Sequence, residues 1–262
     1  MFDLLLPQIF LGATQRRLAE SGVPIFTYHS LGVPPAGTRD PFLYVAAERF
    51  DAQLAALRAA GFASADLSSV PRESHGRRVV ITFDDGCANV LTHALEPLAR
   101  HGFRAVEFLV AGLIGGRNEW DARHGDAPVP LMDAAQIRDW LAAGHSIGSH
   151  SVTHPNLTRC SAAQAREEIF ASKLRLEDQF GAPVLHFCYP HGRWSEQLRD
   201  LTGEAGYETA CTTDFGVNDR TAHPLALRRI SPLSTGALLG KALHRLRRRV
   251  WTGGRASAAR CA

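Results

Sequence analysis

Val79-Val80-Ile81-Thr82-Phe83-Asp84-Asp85-Gly86 is a β-branched apolar run that closes on two adjacent carboxylates. Such a run reads as a buried strand. A charge at the end of a buried strand loses its water, and something must offset that cost, most simply a metal cation. Further along stands Ser149-His150-Ser151-Val152-Thr153-His154, with two histidines four positions apart. One carboxylate plus two imidazoles is a three-ligand set for a catalytic divalent metal, with positions left for water and substrate. The remaining carboxylate is then available as a base. Taken singly, Asp-Asp-Gly is also a common turn, and the histidines are also a common surface pair. Context joins them, because each stretch follows a strand-like segment. In parallel sheets the carboxyl ends of the strands share one face, where sites gather.

Outward from this stretch a unit recurs: an amphipathic helical segment, a glycine stop, then a strand. It appears around Gly61, Gly102, Gly144 and Gly206. Glycine just past a helix accepts the left-handed conformation. The helices have apolar stripes, for example Phe50, Leu54 and Leu57, then Leu91, Leu95 and Leu98. Asp133 with Gln136, and Ser161 with Gln164, read as capping boxes. Strands are expected at 24–28, 79–83, 105–110, 145–147, 184–189, 209–213 and 226–230. Alternating strands and helices predict an α/β fold with a mostly parallel sheet, doubly wound or closed as a barrel. No Gly-x-Gly-x-x-Gly follows a strand, so a dinucleotide fold has no support.

The 262 residues suit one large α/β domain, and 45% hydrophobic with 21% charged residues is ordinary for a globular chain with a sizeable core. The net charge of +3 is concentrated near the C-terminus, so the composition does not argue for a nucleic-acid partner. Five cysteines lack any Cys-x-x-Cys spacing and read as reduced thiols. The first residues have no basic region and are interrupted by Pro7, a poor export signal. No segment has the apolar length of a membrane helix. The expected location is therefore cytoplasmic. The Gly/Pro-rich loops 31–41 and 112–130 are long, and loops of that length are often functional.

Thr82-Phe83-Asp84-Asp85-Gly86 and His150-Ser151-Val152-Thr153-His154-Pro155 together resemble the first two motifs of the polysaccharide deacetylases (NodB homology, carbohydrate esterase family 4). The resemblance spans residues 24–232 and implies a distorted (β/α)7 barrel. It implies removal of acetyl groups from N-acetylated amino sugars of a bacterial exopolysaccharide, an envelope glycan or a precursor. It also assigns roles. Asp84 would be the catalytic base, and Asp85, His150 and His154 would hold the metal, commonly Zn2+, with Co2+ or Ni2+ suiting the same donors. The family's third motif, Arg-x-Pro-Tyr, corresponds to Cys188-Tyr189-Pro190-His191 and lacks the arginine. The backbone N–H that stabilises the oxyanion would fall to His191, with Tyr189 beside it on the substrate side. Arg228 or Arg229 could replace the missing guanidinium, and Arg229 is favoured.

The family's C-terminal Leu-x-His is absent. Thr27-Tyr28-His29-Ser30 instead resembles the branch of biofilm poly-N-acetylglucosamine deacetylases, in which an N-terminal Tyr-His supplies the acid. His29 is thus the candidate for protonating the leaving amine. Trp120, with Asp121 and Arg123, is a candidate lining of the sugar groove, since aromatic faces stack on pyranose rings. Its other reading is a loop anchor.

The expected organisation is an N-terminal extension at 1–23, a catalytic barrel at 24–236, a basic amphipathic helix at 237–251 and a disordered tail at 252–262. The basic helix allows peripheral contact with an anionic membrane, although a closing helix packed on the barrel with a solvated basic face is the favoured reading. The partner class is an acetylated amino-sugar glycan or its precursor, with no nucleic acid and an open oligomeric state. Two alternatives stay open: another C–N hydrolase of cyclic imides or ureides, and an inactive carbohydrate-binding homologue.

Overall fold

The computed structural model describes residues 22–38, 40–72, 77–122 and 127–231. Arg123, the N-terminal extension as far as residue 21, the basic helix at 237–251 and the tail at 252–262 lie outside them. In chain order the strands are β1 (Ile25–Tyr28), β2 (Ser30–Leu31), β3 (Tyr44–Val45), β4 (Ala63–Ser64), β5 (Arg78–Phe83), β6 (Ala105–Leu109), β7 (Ser146–Ser149), β8 (His186–Cys188), β9 (Thr209–Phe215) and β10 (Leu227–Arg229). The helices are α1 (Ala47–Ala59), α2 (Ala88–His101), α3 (Glu119–Ala122), α4 (Ala134–Ala142), α5 (Ala162–Phe180) and α6 (Glu196–Glu204).

Seven parallel strands run in the order β1-β5-β6-β7-β8-β9-β10. A parallel bridge between Phe26 and Ile230 brings the last strand back to the first. There the Thr27 N–H donates to the Ile230 carbonyl at 3.0 Å, and the Ile230 N–H to the Ile25 carbonyl at 2.8 Å. The sheet is therefore a nearly closed barrel rather than a doubly wound sheet. Each expected strand matches one of the seven to within two residues at either end. The two-residue strands β2, β3 and β4 are too short to leave a periodic pattern, and the sequence reading missed them.

Side-chain alternation sorts residues between the inside of the barrel and the helical layer. Ile25, Val80, Val106, Phe108, Cys188, Cys211 and Leu227 form one buried cluster inside. Phe26, Val79, Ile81, Phe83, Ile147, Phe187 and Ala210 belong to the larger cluster between strands and helices. The interior is tight: a Cβ on Gly148 would come within 2.5 Å of the Phe108 ring. Outside, Phe83 packs among Tyr28, Phe50 and Trp140 at ring separations of 5.4, 5.6 and 6.0 Å. Capping boxes start α4 at Asp133/Gln136 and α5 at Ser161/Gln164. Gly102, with φ 71°, ends α2 in the left-handed conformation that a side chain would disfavour. No helix among the described residues is long and apolar enough to cross a membrane.

Register then places the motifs. Tyr28 pairs with Phe83 and Leu109 with Ser149, so the residues that follow, His29, Asp84 and His150, emerge at the same end of the barrel. Between Leu227 and Arg229 the pairing with β9 slips, from Cys211 to Phe215. Beside the slip the Thr212 carbonyl accepts from Arg229 Nε at 2.8 Å, and alternation from Leu227 turns that side chain into the barrel.

Candidate active site

A cavity of about 510 Å³ opens at the carboxyl ends of the strands, and Asp84, Asp85, His150, His154, His29 and Arg229 all line it. His191 and Trp120 line it too. Phe42 and Leu43, from the short 3-10 turn Pro41–Leu43 that follows the Gly/Pro-rich loop, supply part of its apolar wall.

Asp84 and Asp85 are consecutive, yet their side chains serve different neighbours. Asp85 has φ 81° and Gly86 φ 79°, so the chain turns sharply after Asp84. Asp84 meets Arg229 in a bidentate pair, Nη1 to Oδ1 at 2.8 Å and Nη2 to Oδ2 at 2.7 Å. Burial alone would raise the Asp84 carboxyl, but the guanidinium outweighs it and holds the carboxyl well below the usual range. Burial likewise works against the Arg229 charge, and the Asp84 carboxylate reverses that and pushes the guanidinium up. Arg228, its neighbour, points to the exposed side. His29 stands with Nε2 3.9 Å from Asp84 Oδ2 and is partly open to the cavity mouth.

Asp85 Oδ1 lies 3.5 Å from His150 Nε2 and 3.4 Å from His154 Nε2. Ligand atoms 2.0–2.2 Å from a tetrahedral centre stand about 3.3–3.6 Å apart, so both aspartate–histidine pairs match a single divalent ion, and all three ligand atoms lie within 4.8 Å of one another. His150 Nδ1 donates to the Cys188 carbonyl at 2.7 Å, which fixes the tautomer and leaves Nε2 as the acceptor. Burial pushes His150 down to about 4. Burial, helped by the neighbouring His150 and His191, pushes His154 well below the ordinary value. Both imidazoles are thus neutral near pH 7, the form that binds metal.

The two histidines are oriented differently. His154 Nδ1 is buried without a hydrogen-bond partner among the described residues. Its ring is instead stacked on Trp120 at 4.4 Å and met edge-on by His191 at 4.6 Å. The loop between them is pinned by α5. Glu168 accepts from the Val152 N–H at 2.8 Å, the Thr153 N–H at 2.9 Å and the Thr153 hydroxyl at 2.6 Å. Ser151 Oγ accepts the His154 N–H at 3.0 Å. Four non-glycine residues have left-handed backbone among those described, Asp85, Ser151, His154 and His191, and all belong to this site. Such strain persists only where surrounding contacts over-determine it.

Asp84, His150 and Cys188 also gather potential ligand atoms within 4.8 Å of one another. That group suits a cation poorly. Arg229 Nη2 already sits 3.1 Å from Cys188 Sγ, and burial pushes the thiol well above its ordinary range.

One expected site residue is elsewhere. Tyr189 is fully buried, and its hydroxyl donates to the Leu225 carbonyl at 3.0 Å. Residues 187 and 189 share the outer face of the β8 segment, so parity turns Tyr189 into the helical layer and away from substrate. Cys188, one residue earlier, faces inward. Two supporting glutamates escaped the sequence reading, Glu107 and Glu168. Glu107 had a signal, an acid in the middle of the apolar run Ala105–Leu109. Glu168 had none, being one polar residue of a largely polar helix.

The polysaccharide deacetylase family model matches residues 72–210. YxkH of Bacillus subtilis (strain 168), named for polysaccharide deacetylation, is 27% identical over 227 residues, covering 83% of this chain and 75% of that protein. The chitooligosaccharide deacetylase of Sinorhizobium fredii (strain NBRC 101917 / NGR234) is 29% identical over 143 residues, 53% of this chain and 59% of that protein. Among solved structures, IcaB from Ammonifex degensii has the same fold, with a TM-score of 0.70 at 20% identity over 83% of this chain and 94% of that one.

Proposed function

The chain belongs to the polysaccharide deacetylase family, and from that premise we propose that it is a metal-dependent hydrolase releasing acetate from N-acetylated amino sugars of an exopolysaccharide, an envelope glycan or its precursor. The observation that carries the reading is the convergence of Asp85 Oδ1 with both imidazole Nε2 atoms at 3.4 and 3.5 Å, beside an ionised Asp84.

Asp85, His150 and His154 would hold the ion, with Zn2+ the first candidate and Co2+ or Ni2+ suited to the same donors. Bound there, a divalent metal supplies polarisation of the amide carbonyl and a more acidic water. Asp84 takes a proton from the attacking water as the new C–O bond forms. Arg229 keeps Asp84 ionised and aimed, at the expense of its basicity, so Asp84 needs an acidified water to work on. The backbone N–H of His191 would receive charge developing on the carbonyl oxygen. His29, protonated beside the Asp84 carboxylate, gives its proton to the amine as the C–N bond breaks. Trp120 holds His154 by stacking and lines the cavity where a sugar would lie.

Acetate release from a panel of N-acetylated amino-sugar oligomers, with and without chelator, tests the proposal. Chelator-sensitive acetate is the expected result. Release of ammonia or ring-opened product from cyclic amides, with no acetate, would replace it with another C–N hydrolase.

A further inference from the structure

Glu107 is a carboxyl in the middle of a strand with no exposed surface. It faces away from the barrel interior, beneath the turn that joins β5 to α2. Its Oε1 accepts the Gly86 N–H at 3.0 Å, and its Oε2 has no hydrogen-bond partner among the described residues. A buried acid with one oxygen unsatisfied costs the fold free energy, commonly about 1–3 kcal/mol for the missing bond alone. An apolar residue would cost nothing there, so the question is what the single bond accomplishes.

The Gly86 peptide is where the carboxylate pair is parted. Its N–H is held by Glu107 and its carbonyl accepts the Met132 N–H at 2.8 Å. Asp85 and Gly86 are both left-handed, and the turn they make leaves Asp84 facing Arg229 and Asp85 facing the histidines. The Gly86 N–H belongs to the Asp85–Gly86 peptide, so Glu107 holds the plane beside Asp85; without it the Met132 bond fixes only the far side of Gly86, and the turn is free to carry Asp85 Oδ1 out of reach.

We infer that Glu107 is a positioning residue, which through the Gly86 N–H holds the turn that separates Asp84 from Asp85. The inference rests on the proposed metal-dependent reaction for its catalytic consequence, but not for its structural one. Burial, reinforced by the charges of Asp84 and Asp85, pushes the Glu107 carboxyl well above its ordinary range. What the turn uses is the acceptor oxygen at 3.0 Å, and a glutamine carbonyl offers the same acceptor.

The test uses the full chain as Glu107→Gln and Glu107→Leu, with three readouts: Zn2+ affinity by competition with a chromophoric chelator, amide exchange at Gly86, and kcat with KM for acetate release. Glu107→Gln is expected to keep all three within about threefold of the parent. Glu107→Leu is expected to lower Zn2+ affinity about 10- to 100-fold, to speed exchange at Gly86, and to reduce kcat more than it raises KM. A folded Glu107→Leu chain with parental affinity and exchange would overturn the inference, and so would a Glu107→Gln chain as impaired as the leucine variant. Should the leucine variant fail to fold, Glu107→Gln decides alone: parental affinity and exchange support the role, and their loss refutes it. If the parent itself bound no Zn2+, the proposed function would fail, while exchange at Gly86 would still judge Glu107.

Discussion

The turn at Asp84–Gly86 and the loop at His150–His154 bring the candidate ligands together, and each leans on one glutamate from another element. The two supports are built on opposite terms. Glu107 is wholly buried, makes one hydrogen bond and leaves an oxygen bare. Glu168 is half-buried on α5 and satisfies three donors of the histidine loop. A three-donor carboxylate in contact with water can stay charged at little cost, and its bonds are of the stronger, charge-assisted kind. A carboxyl walled in beside two other acids costs more to charge, and burial with those neighbours pushes it well above its ordinary range. The lesson is that the same mechanical task, fixing a strained ligand loop, is met with three bonds where water reaches and with one where it does not.

The comparison breaks first if the two loops do not share one ion. Asp85→Ala and His150→Ala should each lose bound metal, measured by elemental analysis, and acetate release should fall about a thousandfold, the several kcal/mol a Lewis acid contributes. Metal retained at parental stoichiometry in either variant would show that the loops act separately. His29→Ala should behave otherwise. It stands 3.9 Å from Asp84 and is no member of the Asp85–His150–His154 group, so metal content should hold while kcat falls about a hundredfold, as for loss of a general acid. Parental turnover in that variant would remove His29 from the reaction.

Glu168 sharpens the contrast. Glu168→Ala should weaken Zn2+ binding about 10- to 100-fold, and Glu168→Gln should recover only part of it, because its single carbonyl replaces a charged, two-oxygen acceptor. A full recovery by glutamine would erase the proposed difference between the two supports.

These supports also mark where the sequence stopped being legible. The seven strands, the paired capping boxes and the shared end of the barrel follow from periodicity and punctuation, which are local. The convergence of Asp85, His150 and His154 was readable because both motifs follow strands, β5 and β7, and parallel strands aim their ends alike. Arg229 was readable only as one of two neighbours. What selects it over Arg228 is alternation along β10, where Leu227 and Arg229 are buried and Arg228 is exposed, a parity that the three-residue strand does not announce. Tyr189 was misplaced for a related reason: the side of a short strand that a residue faces depends on pairing parity, and β8 spans only His186–Cys188. Contacts between remote elements, such as Glu168 with Val152, arise from docking and leave no trace in spacing.

The smallest expected effect separates the two loops by acid. In the metal-free chain, His150 is pushed down to about 4 from 6.5, and His154 moves the same way. The unfolded chain therefore binds more protons than the folded one between those values. The stability these imidazoles carry is whole above pH 6.5 and is lost as pH falls toward 4. Asp84 is also depressed, but from 3.8, so its share survives until the solution is more acidic than that. Acid should thus loosen the histidine loop while the aspartate turn still holds. Thermal melts of the chelated parent and of His150→Asn between pH 7.5 and 4.5 measure this. His145 and His186 are depressed as well and contribute to the slope of both proteins, so the informative quantity is the difference between the curves. The parent should lose melting temperature faster than the asparagine variant as pH falls. Parallel curves would mean that His150 titrates alike in the folded and unfolded chains, and that the loop is open to water rather than closed over the site.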